Sequence, residues 1–162
     1  MAFGAPGLKL FHEGQLEGRE VRLPVQLARR PPEPPDPEAG EGYRRLIAFL
    51  RDPLLRAGDF SLPGVRPAGP GDASSGQVIA LLWSPPEGSA MSGGRMVAAN
   101  LGGSPAYARV PLPSASAAAR WVLHDRCDGS RYERGGGEMA SPGLFVALKP
   151  YQVHLFEMRP GG

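Results

Sequence analysis

Gln77-Val78-Ile79-Ala80-Leu81-Leu82-Trp83 is a continuous apolar run that stops at Ser84-Pro85-Pro86. It is shorter than an ordinary helix and bounded by turn residues, and no position in it asks for water. Such a run reads as a strand buried on both sides. Arg95 to Leu101 reads as a second. Further on, Ala106, Ala108, Val110 and Leu112 alternate with Tyr107 and Arg109, and Trp121 and Leu123 alternate with Arg120, Val122 and His124. Asp128-Gly129 is a hairpin signal that returns the chain through Tyr132 to Arg134. Residues 144–148 and 152–158 supply two closing strands around the turn at Pro150. Turn signals every 8 to 12 residues or so read as an antiparallel β-sandwich.

Upstream of residue 58 the pattern differs. Leu8-Lys9-Leu10-Phe11 reads as a brief strand, followed by a Gly-rich turn at Glu13-Gly14-Gln15. Residues 21–27 alternate apolar and polar, but Pro24 cannot donate to a ladder, so they read as an edge strand or an extended loop. Residues 29–37 are Pro-rich and extended. Asp36-Pro37 then starts a helix, with Asp36 as N-cap and Pro37 at the first helical position. Tyr43, Leu46, Ile47 and Leu50 form one apolar stripe on it, and Pro53 closes it. Gly40 and Gly42 weaken its first turns by about 1 kcal/mol each relative to Ala. A helix this short needs a partner surface.

Composition bounds the function. The 162 residues hold 23 Gly and 19 Pro, which favours turns over long helices, and the formal net charge is +2. The arginines are scattered and interleaved with acids, so no basic face for nucleic acid is expected. Cys127 is the sole cysteine, which excludes an intrachain disulfide and a Cys-based zinc site. No apolar run nears the roughly 20 residues that cross a bilayer. Met1 to Pro6 lacks the basic and apolar regions of a signal peptide, so a cytoplasmic location is expected.

The order of these segments resembles the C-terminal end of glycoside hydrolase family 13, the α-amylase family. The strand Gly7-Leu8-Lys9-Leu10-Phe11 with the turn Glu13-Gly14-Gln15-Leu16-Glu17 resembles the last barrel strand. Tyr43, Leu46, Phe49, Leu50, Arg51 and Pro53 resemble the final barrel helix. Val97-Ala98-Ala99-Asn100-Leu101 and Val153-His154-Leu155-Phe156-Glu157 resemble strands of the following all-β domain. The resemblance implies a remnant of a (β/α)8 barrel over residues 1–57 and a C-terminal β-sandwich over residues 58–162. The family's mechanism is retaining cleavage of α-glucosidic bonds by three carboxylates at the ends of the fourth, fifth and seventh barrel strands. None of those positions has a counterpart here, so the chain by itself is expected to be inactive.

What the resemblance implies is a structural accessory domain. It would pack on a catalytic barrel through the Tyr43/Leu46/Ile47/Leu50 stripe and the strand at residues 8–11. Without neighbours that strand is expected to be poorly ordered, as are residues 1–35 as a whole. Glu13, Gln15 and Glu17, at the carboxyl end of a barrel strand, would border the parent's substrate cleft. The rival reading is that they hold the loop through ion pairs to Arg19 or Arg22.

Trp83, Trp121, Tyr107 and Tyr132 are the candidates for stacking on α-glucan; Trp83 and Trp121, inside apolar strands, read as core, and Tyr107, on the polar side of its strand, is the better one. Two alternatives stay open: a stand-alone carbohydrate-binding module, or a protein-interaction sandwich. His12, His124 and His154 lie far apart, and His124 and Cys127 are poorly placed for one ion. Ser114 and Ser116 lack a His partner and a nucleophile elbow. Gly102-Gly103 and Gly135 to Gly137 open no helix, so neither cradles phosphate. No metal or cofactor is implied.

Overall fold

Asp36 accepts hydrogen bonds from the backbone N–H of Glu38 at 2.8 Å and of Ala39 at 3.2 Å, so α1 (Pro37–Leu50) starts where its cap and proline require. These contacts come from a computed structural model that describes residues 4–21, 26, 29 and 31–161. A one-turn helix, α2 (Leu54–Ala57), follows Pro53. The strands are β1 (Asp59–Ser61), β2 (Arg66–Pro67), β3 (Val78–Ser84), β4 (Gly94–Asn100), β5 (Ala106–Val110), β6 (Arg120–Asp125), β7 (Arg131–Gly135), β8 (Leu144–Leu148) and β9 (Val153–Pro160).

They form two antiparallel sheets. One has six strands in the order β1-β3-β4-β9-β6-β7, and the other three in the order β2-β5-β8. The fold is the expected β-sandwich. Its core lies between the sheets and includes small residues from both, Ala80 and Ala98 on one side and Ala106 and Ala108 on the other. Met96, Leu123, Leu148 and Phe156 fill the space around them. Trp121 belongs to this core, and its indole N–H donates to Ala115 O at 2.8 Å.

The run at residues 77–83 is apolar throughout because β3 is covered twice. Ala80 and Leu82 face the small sheet, while Leu81 joins Val97, Leu155 and Phe49 of α1 on the outer face. Leu46 and Leu50 pack there too. The helix stripe expected to meet a separate barrel is thus largely spent on the chain's own sheet, and the buried side chain of α1 is Phe49, which that stripe leaves out. Ionic contacts lock the end of the helix to the sheet. Arg95 on β4 bonds Asp52 at 2.7 Å and lies 3.7 Å from Glu157 on β9, while the other oxygen of Asp52 accepts the N–H of Leu54.

The strand expected over residues 8–11 does not form: among the described residues no strand pairs with it. Residues 4–18 instead lie against α1 and the outer sheet face. Gly4 O accepts from the Trp83 indole at 3.0 Å, Phe11 meets Tyr43 edge-on at 6.2 Å, and Asp36 N–H donates to Glu17 O at 2.8 Å. Gly18 makes this contact possible. Its φ is +68°, and a Cβ there would stand 2.5 Å from that of Ala39. The expected alternation over residues 21–27 falls almost wholly outside the described residues.

Removing the outer cover should therefore unsettle the whole domain. Phe49→Ala is expected to cost about 3–5 kcal/mol in urea unfolding. Ile47→Ala, on a half-buried position, should cost clearly less. Equal losses at the two positions would refute the role of Phe49 as the link between helix and sheet.

Candidate functional site

The sheets are unequal, and the cleft follows from that. Three strands cannot cover six, so part of the inner face of β9, β6 and β7 lies beside the edge of β8 with no strand over it. The opening is a cleft of about 490 Å³. Leu123, Tyr132 and Arg134 form one wall, and consecutive residues 144–149 form the other. His154 and Phe156 make the floor, their rings nearly parallel at 4.9 Å. A wall of consecutive residues is a backbone edge. Tyr107 N–H donates to Ser74 Oγ at 2.9 Å, on the side away from β8. In the antiparallel register, the β5–β8 bonds then fall on the pairs 106/148, 108/146 and 110/144. The N–H and C=O of Phe145 and Ala147 accordingly point toward the cleft.

His154 is 7% exposed and Asp125 is fully buried. His154 Nδ1 meets Asp125 Oδ2 at 2.5 Å, and Nε2 faces Ala147 O at 3.5 Å. Asp125 Oδ1 also accepts the N–H of Cys127 at 2.9 Å and of Leu155 at 3.2 Å, joining the β6–β7 hairpin to β9. Burial disfavours the charged imidazole, but the bond to Asp125 and its charge outweigh burial and hold His154 above its ordinary 6.5. Burial likewise pushes the Asp125 carboxyl up, but the hydrogen bonds from His154 and the two amides hold it below 3.8. The Cys127 thiol is pushed up to about 12 by burial and the Asp125 charge, so it stays protonated.

The sequence analysis did not single out Asp125, whose partner His154 lies 29 residues on. The one available signal was a polar His in the otherwise apolar closing strand, and it named no partner. Tyr107 lies on the outer face of the small sheet, at the cleft rim. It is 46% exposed, and its ring is parallel to that of Phe145 within 7° at 6.5 Å.

Glu13, Gln15 and Glu17 fall together on the turn against the start of α1, remote in sequence and contact from the cleft residues. Gln15 Nε2 donates to the Tyr43 hydroxyl at 3.1 Å, and Arg19 donates to Glu33 O at 2.6 Å. A second opening of about 630 Å³ lies between α1 and the outer sheet face, lined by Leu46, Phe49, Val97, Leu155 and Cys127. Among the described residues no group of three or more His, Cys, Asp or Glu gathers as metal ligands would. Among them, no helix is long and apolar enough to cross a membrane.

The ion pair sets a pH dependence. The raised His154 contributes stability that is full below 6.5 and is lost as pH rises through its folded value. The lowered Asp125 contributes stability that is full above 3.8 and is lost as pH falls through its folded value. Thermal midpoints should therefore decline on the alkaline side in the native chain, with a flatter profile there in His154→Gln. Parallel alkaline slopes in the two proteins would refute this assignment.

No family model matches the sequence, and no curated protein matches it. Among solved structures, the chain is similar to a maltogenic alpha-amylase, AmyB, from Thermotoga neapolitana. The identity is 12%, the TM-score is 0.63, and the match covers 99% of this chain and 34% of the amylase. A shorter match, over 52% of this chain and 19% of the other, is to a Bacillus halodurans protein assigned as an alpha-N-acetylgalactosaminidase, at 16% identity and a TM-score of 0.40. The likeness to the amylase establishes the fold, and the chain spans about a third of that protein's length.

Proposed function

We propose that this chain is the C-terminal portion of a glycoside hydrolase family 13 type of enzyme. In this reading it serves as a structural accessory domain for a catalytic (β/α)8 barrel that other residues supply. The observation that carries the reading is the N-terminal segment. Leu8 and Leu10 are 96% and 81% exposed, while Lys9 and Phe11 between and beside them turn back onto the chain, Lys9 to Ala5 O and Gly7 O and Phe11 to Tyr43. Alternation with the apolar side turned outward is the pattern of a strand that has yet to meet its sheet. The likeness of the whole chain to about a third of an amylase supports the same reading. In this arrangement the Glu13-to-Glu17 turn would approach the barrel's substrate cleft.

A second reading, a carbohydrate-binding module, is favoured by the parallel pair Tyr107 and Phe145 on the solvent side of the small sheet. Flat aromatic faces of this kind bury the apolar faces of sugars. Under it, affinity for soluble starch is present and is lost in Tyr107→Ala.

The purified chain is expected to release no reducing sugar from maltooligosaccharides. The DNA on the 5′ side of the Met1 codon is expected to encode barrel strands ending in Asp, Glu and Asp. Co-expression of that product with this chain should give a complex that Leu8→Asp/Leu10→Asp abolishes. The same pair should shift the stability of the chain alone by only about 0.5 kcal/mol per site, as solvent-exposed substitutions do. Hydrolysis by the chain alone, or no such upstream frame, would overturn the proposal.

A further inference from the structure

We propose that the cleft between the free edge of β8 and the inner face of β9, β6 and β7 binds a short uncharged saccharide, with His154 Nε2 and the Phe145 and Ala147 backbone as its hydroxyl partners. Five observations carry this. The volume, about 490 Å³, falls in the range of small-ligand sites. The floor holds a polar side chain more than nine-tenths buried, His154, fixed from behind by Asp125. Its forward nitrogen has only the 3.5 Å contact to Ala147 O, at the limit of a hydrogen bond.

The wall beside it offers backbone donors and acceptors from Phe145 and Ala147 that β5 leaves unused. The mouth carries Asp128 against Arg134 and Lys149, charges of both signs, which suits a neutral ligand better than an ion. Tyr132, only partly buried, supplies apolar surface for the ring face of a sugar, backed by the buried Leu123 and Phe156.

An added peptide strand fits less well. The edge presents the outward groups of only two residues, and the His154 imidazole already stands across one of the carbonyls. Strand pairing needs a longer open ladder. Scattered hydroxyls need only isolated partners.

The inference deepens the carbohydrate-binding reading and rests on it, and the two can fail separately. The test is titration of the full chain with maltotetraose, followed by NMR of backbone amides and of the His154 ring. The expected result is saturable shifts at Phe145, Ala147 and His154 with affinity in about the millimolar range. Tyr132→Ala and Arg134→Ala should each weaken binding by about tenfold, or ~1.4 kcal/mol. Arg134 is a half-exposed rim residue, so its variant tests the site even if the Tyr132 variant loses its fold. Binding that is lost in Tyr107→Ala but leaves His154 and Ala147 unshifted would overturn the cleft while sparing the module reading. Absence of any saturable shift would overturn both. Shifts along residues 144–148 with an extended peptide, and none with maltotetraose, would also overturn the inference.

Discussion

Everything in this chain depends on the double burial of the strands β3, β4 and β9. Both of their faces are mainly apolar, so the sheet is stable only with a cover on each side. The small sheet covers the inner face. The outer face has no sheet to meet, and α1 takes that place through Leu46, Phe49 and Leu50. The helix is therefore a structural part of the sandwich, and so is the ionic contact of Arg95 with Asp52 that fixes its end. A boundary drawn at residue 57 follows the change in sequence pattern but cuts across this packing.

The sandwich, the capped helix and the Asp-Gly hairpin were legible because each rests on local chemistry. Asp36 and Pro37 dictate a helix start wherever they fall, and Gly129 at a φ of +82° is what an Asp-Gly turn demands. Period-two alternation in β5 and β6 predicts inner and outer faces without knowledge of what lies opposite. The segment at residues 8–11 misled for the same reason. Its alternation is real, but a strand is a relation to a neighbour, and among the described residues none pairs with it. The Asp125–His154 pair was illegible because it joins positions far apart in sequence through the β6–β9 register. Neighbouring His124 cannot take that place, because strand geometry turns it to the opposite face.

Two features that look separate, the buried ion pair and the cleft, share one cause. A three-stranded sheet cannot close over six strands, so β8 ends as an edge against the inner face of the larger sheet. The large sheet therefore carries polar groups at the depth where its cover stops. Asp125 is committed first to structure, holding the hairpin amide of Cys127 and the β9 amide of Leu155. One oxygen remains, and it fixes the imidazole of His154 with its other nitrogen forward. The orientation of that nitrogen is thus inherited from the hairpin. A side chain held so firmly loses little freedom when a ligand meets it, which is what a weak site for neutral molecules requires.

The two exposed regions differ in what they ask of a partner. Leu8 and Leu10 are apolar, outward and on an extended segment, so only a large hydrophobic surface satisfies them. The cleft is small, mixed in charge and lined by separated hydrogen-bonding groups, so a macromolecular surface would leave much of it unpaired. They also lie apart in the fold, one on the helix side of the large sheet and the other on the side of the small sheet. Filling one does not obstruct the other. In the proposed function, the segment of Leu8 and Leu10 would meet the barrel while the cleft on the far side stays free for a saccharide.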